Sequence, residues 1–136
     1  MGKKMINHTF RGEVEAKLKD FLLKHDFQFL SAAKRQELGV GLPQRDYDQR
    51  NMTALFWLSG NVILEIYSDL QGGEMNCRIG VLVDGKLQET SLKYLYELSP
   101  LTPVEILNIQ RQPKTLDAQL ATVIQKLNVL NFSTLR

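Results

Sequence analysis

MTALFWLSGNVILEIYSDLQGGEMNCRIGVLVDG, from Met52 to Gly85, decides the fold. Bulky apolar residues fill Met52 to Leu58, and Ser59-Gly60-Asn61 is a turn. Val62 to Tyr67 is β-branched and aromatic. Asp69-Leu70-Gln71-Gly72-Gly73 is a second turn, Glu74 to Val83 alternates, and Asp84-Gly85 closes the run. Short apolar stretches separated by Gly, Asn and Asp are the pattern of antiparallel strands joined by hairpins. The reading is a three-stranded meander.

Register separates its two faces. A two-residue turn after Leu58 or Ser59 puts Thr53, Leu55 and Trp57 beside Val62, Leu64 and Ile66. With Tyr67 opposite Glu74, or a position of the same parity, Met75, Cys77, Ile79 and Val81 join them. That face is almost purely apolar and is the expected core. The other carries Ala54, Phe56, Ile63, Glu65, Tyr67, Asn76 and Arg78. It mixes aromatics with one carboxylate and one guanidinium. A bulge at Gly72-Gly73 would break the third-strand part of this register.

Helices are expected on both flanks. Phe10, Val14, Leu18, Phe21 and Leu22 recur at helical spacing, predicting a helix from about residue 10 to 25 with Thr9 as N-cap. Residues 1–8 read as flexible. Phe27 to Leu30 alternates as a further strand. Residues 34–51 hold Gly39, Gly41 and Pro43, show no sustained period, and read as a long loop. Leu92, Leu95, Tyr96 and Leu98 suggest a short helix from about residue 91. Thr102-Pro103-Val104-Glu105 has the residues of a capping box and would open a helix to about Ile109. Leu116 to Leu130 repeats as a last helix whose only charges are Asp117 and Lys126. The expected fold class is α+β. One domain, residues 1–136, holds a three- or four-stranded antiparallel meander packed with an N-terminal helix and C-terminal helices.

The totals agree with one globular domain. The 136 residues carry 17 Lys and Arg against 15 Asp and Glu. The balance hides unlike parts: +4 over residues 1–35, −4 over 36–100 and +2 over 101–136. None of these is the basic stripe of a dedicated nucleic-acid binder. Cys77 is the single cysteine, so no internal disulfide forms, and its strand context predicts a small buried hydrophobe. No segment approaches the ~18–20 consecutive apolar residues that span a bilayer. Two early lysines are not followed by an export segment, and Ile6 stands where myristoylation reads Ser or Thr. A cytoplasmic location is therefore expected.

A search for chemistry is negative. His8 and His25 have no metal-ligand spacing. Asp46-Tyr47-Asp48-Gln49-Arg50-Asn51 fails as a calcium loop, because it lacks the next oxygen ligand and the turn glycine. Gly39-Val40-Gly41 and Gly72-Gly73 lack the lysine and helix start of a phosphate loop. Glu65-Ile66-Tyr67 lacks the lysine that metal-dependent nucleases place after a strand carboxylate. No catalytic, cofactor or metal residue is assigned, and the chain reads as a non-enzyme.

What remains is surface. Glu65 and Arg78 are expected as cross-strand neighbours on the mixed face, an exposed pair worth ~0–1 kcal/mol or a patch anchored by Phe56 and Tyr67. Arg45, Tyr47 and Arg50, with Lys34 and Arg35, form a basic loop whose charge Glu37, Asp46 and Asp48 nearly cancel. The expected function is a non-enzymatic protein–protein interaction module: an adaptor, or a chaperone-like or immunity-like protein. Small immunity proteins and secretion chaperones share this size and mix of elements, an analogy of shape alone. The partner would be a protein, either another chain or a second copy in a dimer. Two alternatives stand behind it. One is a ligand binder or enzyme with a site built from Arg45, Asp48, Glu65 and Arg78. The other is weak nucleic-acid binding.

Overall fold

Two turns explain how the meander closes. In the computed structural model, Gly60 and Asn61 join strands β2 (Met52–Ser59) and β3 (Val62–Asp69), with Gly60 alone at positive φ, 60°. A two-residue hairpin of this pattern places glycine first because that position is left-handed. Strand β4 (Met75–Val83) follows antiparallel to β3, and the described residues are 2–41, 52–69, 75–88, 91–98, 102–105 and 116–130. Asp84 and Gly85, both at positive φ, then return the chain into β5 (Lys86–Leu87).

The register follows the expected parity. Trp57 lies opposite Leu64, Leu64 opposite Ile79, and Tyr67 opposite Asn76. The pairing of β3 with β4 runs unbroken from Val62↔Val81 to Ser68↔Met75. Three short strands widen the sheet beyond the expected three or four. β1 (Gln28–Phe29) pairs with β2, β5 with the end of β4, and β6 (Lys93–Tyr94) with Arg78 and Ile79 of β4. Among the described residues the sheet has six strands, all antiparallel, in the order β1-β2-β3-β4-β5 with β6 also on β4.

One face is the expected core. Leu55, Trp57, Val62, Leu64, Ile66, Met75, Cys77 and Ile79 form one cluster. Helix α1 (Gly2–Lys24) lays Phe10, Val14, Leu18, Phe21 and Leu22 on it. Helix α4 (Leu116–Leu127) packs beside α1 and adds Leu120, Val123 and Leu127. Each such side chain removed from water contributes ~1.5–3 kcal/mol. Val81 is the exception on this face, only half-buried near the end of its strand.

Helix α1 starts at Gly2, so Thr9 lies inside it and is not its cap. Its end is a left-handed reversal. Asp26 has φ 55°, its N–H donates to the Leu23 carbonyl, and the Phe27 N–H reaches back to Leu22. This is the Schellman pattern, here with Asp where Gly is usual. It turns Phe27 into the core beside Leu22.

The second face is covered, and the cover was read as loop. Residues 34–38 belong to helix α2 (Ala32–Leu38). Ser31 caps it by accepting from the Lys34 N–H at 3.2 Å, and Gly39 at φ 70° ends it. With seven residues, α2 is too short to display a period, and Gly39 is its C-cap rather than loop punctuation. Leu30, Leu38 and Val40 from this segment pack on Ala54, Phe56, Ile63 and Leu82. Lys86 Nζ of β5 donates to the Glu37 carbonyl at 2.5 Å, tying the β4–β5 hairpin to the negative end of α2.

The segment after the meander is part strand and part helix. Lys93 and Tyr94 pair with β4, and the α-helix expected from residue 91 is described over Leu95–Leu98 (α3). The capping box is present. The Thr102 N–H donates to Glu105 Oε1 at 2.8 Å, and the Glu105 N–H donates to Thr102 Oγ1 at 3.2 Å. The expected continuation to Ile109, like residues 42–51, lies outside the described residues.

Candidate functional site

Antiparallel pairing lines up four residues across four strands: Phe56 on β2, Glu65 on β3, Arg78 on β4 and Tyr94 on β6. Alternation places all four on the face that α2 partly covers. Tyr67, two residues beyond Glu65, shares that face.

Glu65 sits at the bottom of this cluster, 2 % exposed. Its two carboxylate oxygens accept from one guanidinium: Arg78 Nε donates to Oε1, and Nη2 donates to Oε2 at 3.0 Å. Paired, fork-to-fork bonding of this kind is the strongest form of a charge-assisted contact. It also fixes the guanidinium in one orientation. The Arg78 side chain is 24 % exposed, so it carries the cluster's charge toward solvent while Glu65 stays inside.

Two tyrosines flank the arginine. The Tyr67 and Tyr94 rings have their centroids 5.5 and 5.8 Å from the guanidinium carbon, within cation–π range. The two hydroxyls are 3.3 Å apart and share a hydrogen bond. Burial raises the Tyr67 phenol well above its ordinary value, the bond to Tyr94 adds to this, and nearby Arg78 opposes it without cancelling it. Tyr67 is therefore a neutral phenol at any ordinary pH. Burial works against the charge of Arg78, but the hydrogen bonds and charge of Glu65 outweigh it and hold the guanidinium pKa above its usual value.

The residues expected from sequence meet different outcomes. Glu65, Tyr67 and Arg78 are brought together. Phe56 is not an exposed anchor and Glu65 is not the exposed half of an ion pair: both are interior, at 1 % and 2 % exposure, because α2 and the Leu30 and Val40 positions cover their end of the sheet. Arg35, read as a loop cation, is also buried, with its guanidinium carbon 5.2 Å from the Phe56 ring centroid. Arg45, Tyr47, Asp48 and Arg50 lie outside the described residues. Tyr94 was missed, because two residues of strand carry no period. The signal that could have found it is its place opposite Arg78, which appears only with the pairing.

The lone cysteine lies off this cluster. Cys77 is on the opposite face, 3 % exposed, and burial followed by the charge of Glu65 pushes its thiol pKa up. Such a thiol is a poor nucleophile. Among the described residues no three His, Cys, Asp or Glu side chains are grouped to hold a metal ion. Nor is any helix there long and apolar enough to cross a membrane. Comparison with protein-family models, curated proteins and solved structures finds no match to this chain.

Proposed function

We propose that this protein works by binding another protein, and that Tyr67, Arg78 and Tyr94 form the centre of the contact. One observation supports the reading: a part-exposed arginine held rigid by a buried carboxylate and flanked by two tyrosines. Tyrosine and arginine dominate binding hot spots because each offers a large, flat, partly apolar surface with polar ends. Ordering a long side chain on binding costs about 0.5–1.5 kcal/mol, and Glu65 has already met that cost for Arg78.

The test is affinity capture from cells that make the protein, paired with its mass in solution by light scattering. The bait is the wild-type chain, beside Tyr94→Ala and Tyr67→Ala chains with unchanged circular dichroism. A species retained by wild type and at least about tenfold less by both variants is the expected result for loss of a hot spot. A doubled mass that reverts in the same variants would make the partner a second copy. Equal capture by all three chains, or a monomer that captures nothing, would overturn the proposal.

A further inference from the structure

We infer that Ser91 and Glu97 are positioning residues of the contact site: they set where strand β6 lies on β4, and so place Tyr94 beside Arg78. The inference rests on the protein-binding reading above for what the site does, while its geometry is independent of that reading.

Strand β6 has two residues, too few to hold a register by their own pattern. The site depends on that register. Side chains alternate across a sheet, so a slip of one residue would put Lys93 or Leu95 opposite Arg78 and turn Tyr94 to the other face. Tyr94 is one of the two rings beside the Arg78 guanidinium, and its hydroxyl is bonded to that of Tyr67. A slipped β6 would lose both contacts.

Two side chains fix the strand, one from each end. Before β6, Ser91 fills the gap that β5 and β6 leave along the edge of β4. The Val81 N–H donates to Ser91 Oγ at 3.3 Å. The hydroxyl's own hydrogen has two acceptors in reach, the Gln88 carbonyl at 2.8 Å and the Val81 carbonyl at 3.3 Å. One hydroxyl thus offers Val81 the donor and acceptor that a paired strand would supply. Beside it, Gly80 leaves no room for a side chain: a Cβ there would lie 3.0 Å from Leu92 and 3.1 Å from Ser91 Oγ. Residues 91 and 92 are therefore seated on β4 just before β6 begins.

After β6, Glu97 Oε2 accepts the Tyr94 N–H at 2.8 Å. Tyr94 directly precedes α3 and Glu97 is the helix's third residue, so this bond is the glutamate half of a capping box. It ends the strand at Tyr94 and starts the helix there. Leu95, the next residue, is buried in the core on the opposite face. Ser91 and Glu97 both act on the main chain around β6 rather than on the rings of the site.

The experiment labels the full chain with fluorotyrosine and reads it by fluorine NMR, with the Tyr67 and Tyr94 lines assigned through Tyr67→Phe and Tyr94→Phe. Glu97 is exposed, so replacing it leaves the core intact. Both lines are expected to shift or broaden in Glu97→Ala and in Ser91→Ala. Glu97→Gln, which still offers an oxygen to the Tyr94 N–H, should return them to their wild-type positions. In the capture assay, Glu97→Ala should retain at least about threefold less partner, and Glu97→Gln should stay within about twofold of wild type, because a loosened Tyr94 must be ordered on binding. Lines unmoved in either alanine variant, or moved as far by Glu97→Gln, would overturn the inference whatever is captured. Lines that move while capture holds would support the positioning and overturn the protein-binding reading at Tyr94.

Discussion

Removing Arg78 tests the energetics of the cluster most directly. In Arg78→Ala, Glu65 keeps its place at 2 % exposure but loses the donor to both of its oxygens. Breaking a buried pair by deleting one partner costs about 3–5 kcal/mol, because the remaining charge loses the two bonds of its guanidinium in a poorly solvating interior. An exposed pair would cost about 0–1 kcal/mol, so the two readings of this contact differ by more than experimental error. Unfolding entropy scales with length, and for this chain it is about 0.3 kcal/mol/K at the midpoint. The expected loss in Tm is therefore roughly 10–17 °C. Glu65→Gln leaves Arg78 able to reach solvent and still offers it a carbonyl, so its loss should be smaller, about 1–2 kcal/mol. Urea unfolding followed by the fluorescence of Trp57, the chain's one tryptophan, reads both variants. An Arg78→Ala chain within about 1 kcal/mol of wild type, or a Glu65→Gln chain that loses more than it, would refute the account of a buried carboxylate held by a part-exposed partner.

Three further outcomes follow from local geometry. Gly80→Ala should destabilise by about 1–3 kcal/mol in the same urea assay. Its new Cβ would lie 3.0 Å from Leu92 and 3.1 Å from both Leu87 and Ser91, which fold over the sheet there. The two left-handed helix ends should respond in opposite directions. Gly39→Ala should lose about 1 kcal/mol, whereas Asp26→Gly should lose nothing or gain up to about 1 kcal/mol, as differential scanning calorimetry would record. Tyr67 fixes the alkaline limb. Its folded pKa is raised above the ordinary 10.0, so its stabilising share is whole below pH 10 and is lost as pH rises further, when the unfolded chain releases the proton first. Absorbance at alkaline pH should show one tyrosine ionising only with unfolding, and Tyr67→Phe should abolish that component.

Much of this arrangement was legible because period and parity are local. The alternation in β2, β3 and β4 placed Trp57, Leu64 and Ile79 on the core face and Glu65 opposite Arg78 before any pairing was known. Thr102 and Glu105 announced their reciprocal bonds by spacing alone. The misses are elements too short to carry a pattern. Helix α2 has seven residues, and β5 and β6 have two each, held by the neighbours they pair with rather than by propensity. Missing α2 had a second effect. Without its cover, Phe56 and Glu65 read as surface, though their own alternation was assigned correctly. The backward extension of α1 was hidden differently, since residues 2–9 lack the apolar stripe that marks Phe10 to Leu22.

The packing of α4 beside α1 bears on how the chain reaches this state during synthesis. The sheet is built from neighbouring hairpins, and its strands can pair as soon as Val83 has emerged from the ribosome. The cover of its principal face cannot be finished then. Leu120, Val123 and Leu127 are made after the sheet and must return to a helix that was made before it. For the interval between, the apolar sheet is only half covered. A ribosome stalled near residue 100 should therefore display a nascent chain with formed hairpins that is sticky, and release of the next few dozen residues should quench that stickiness in a single step.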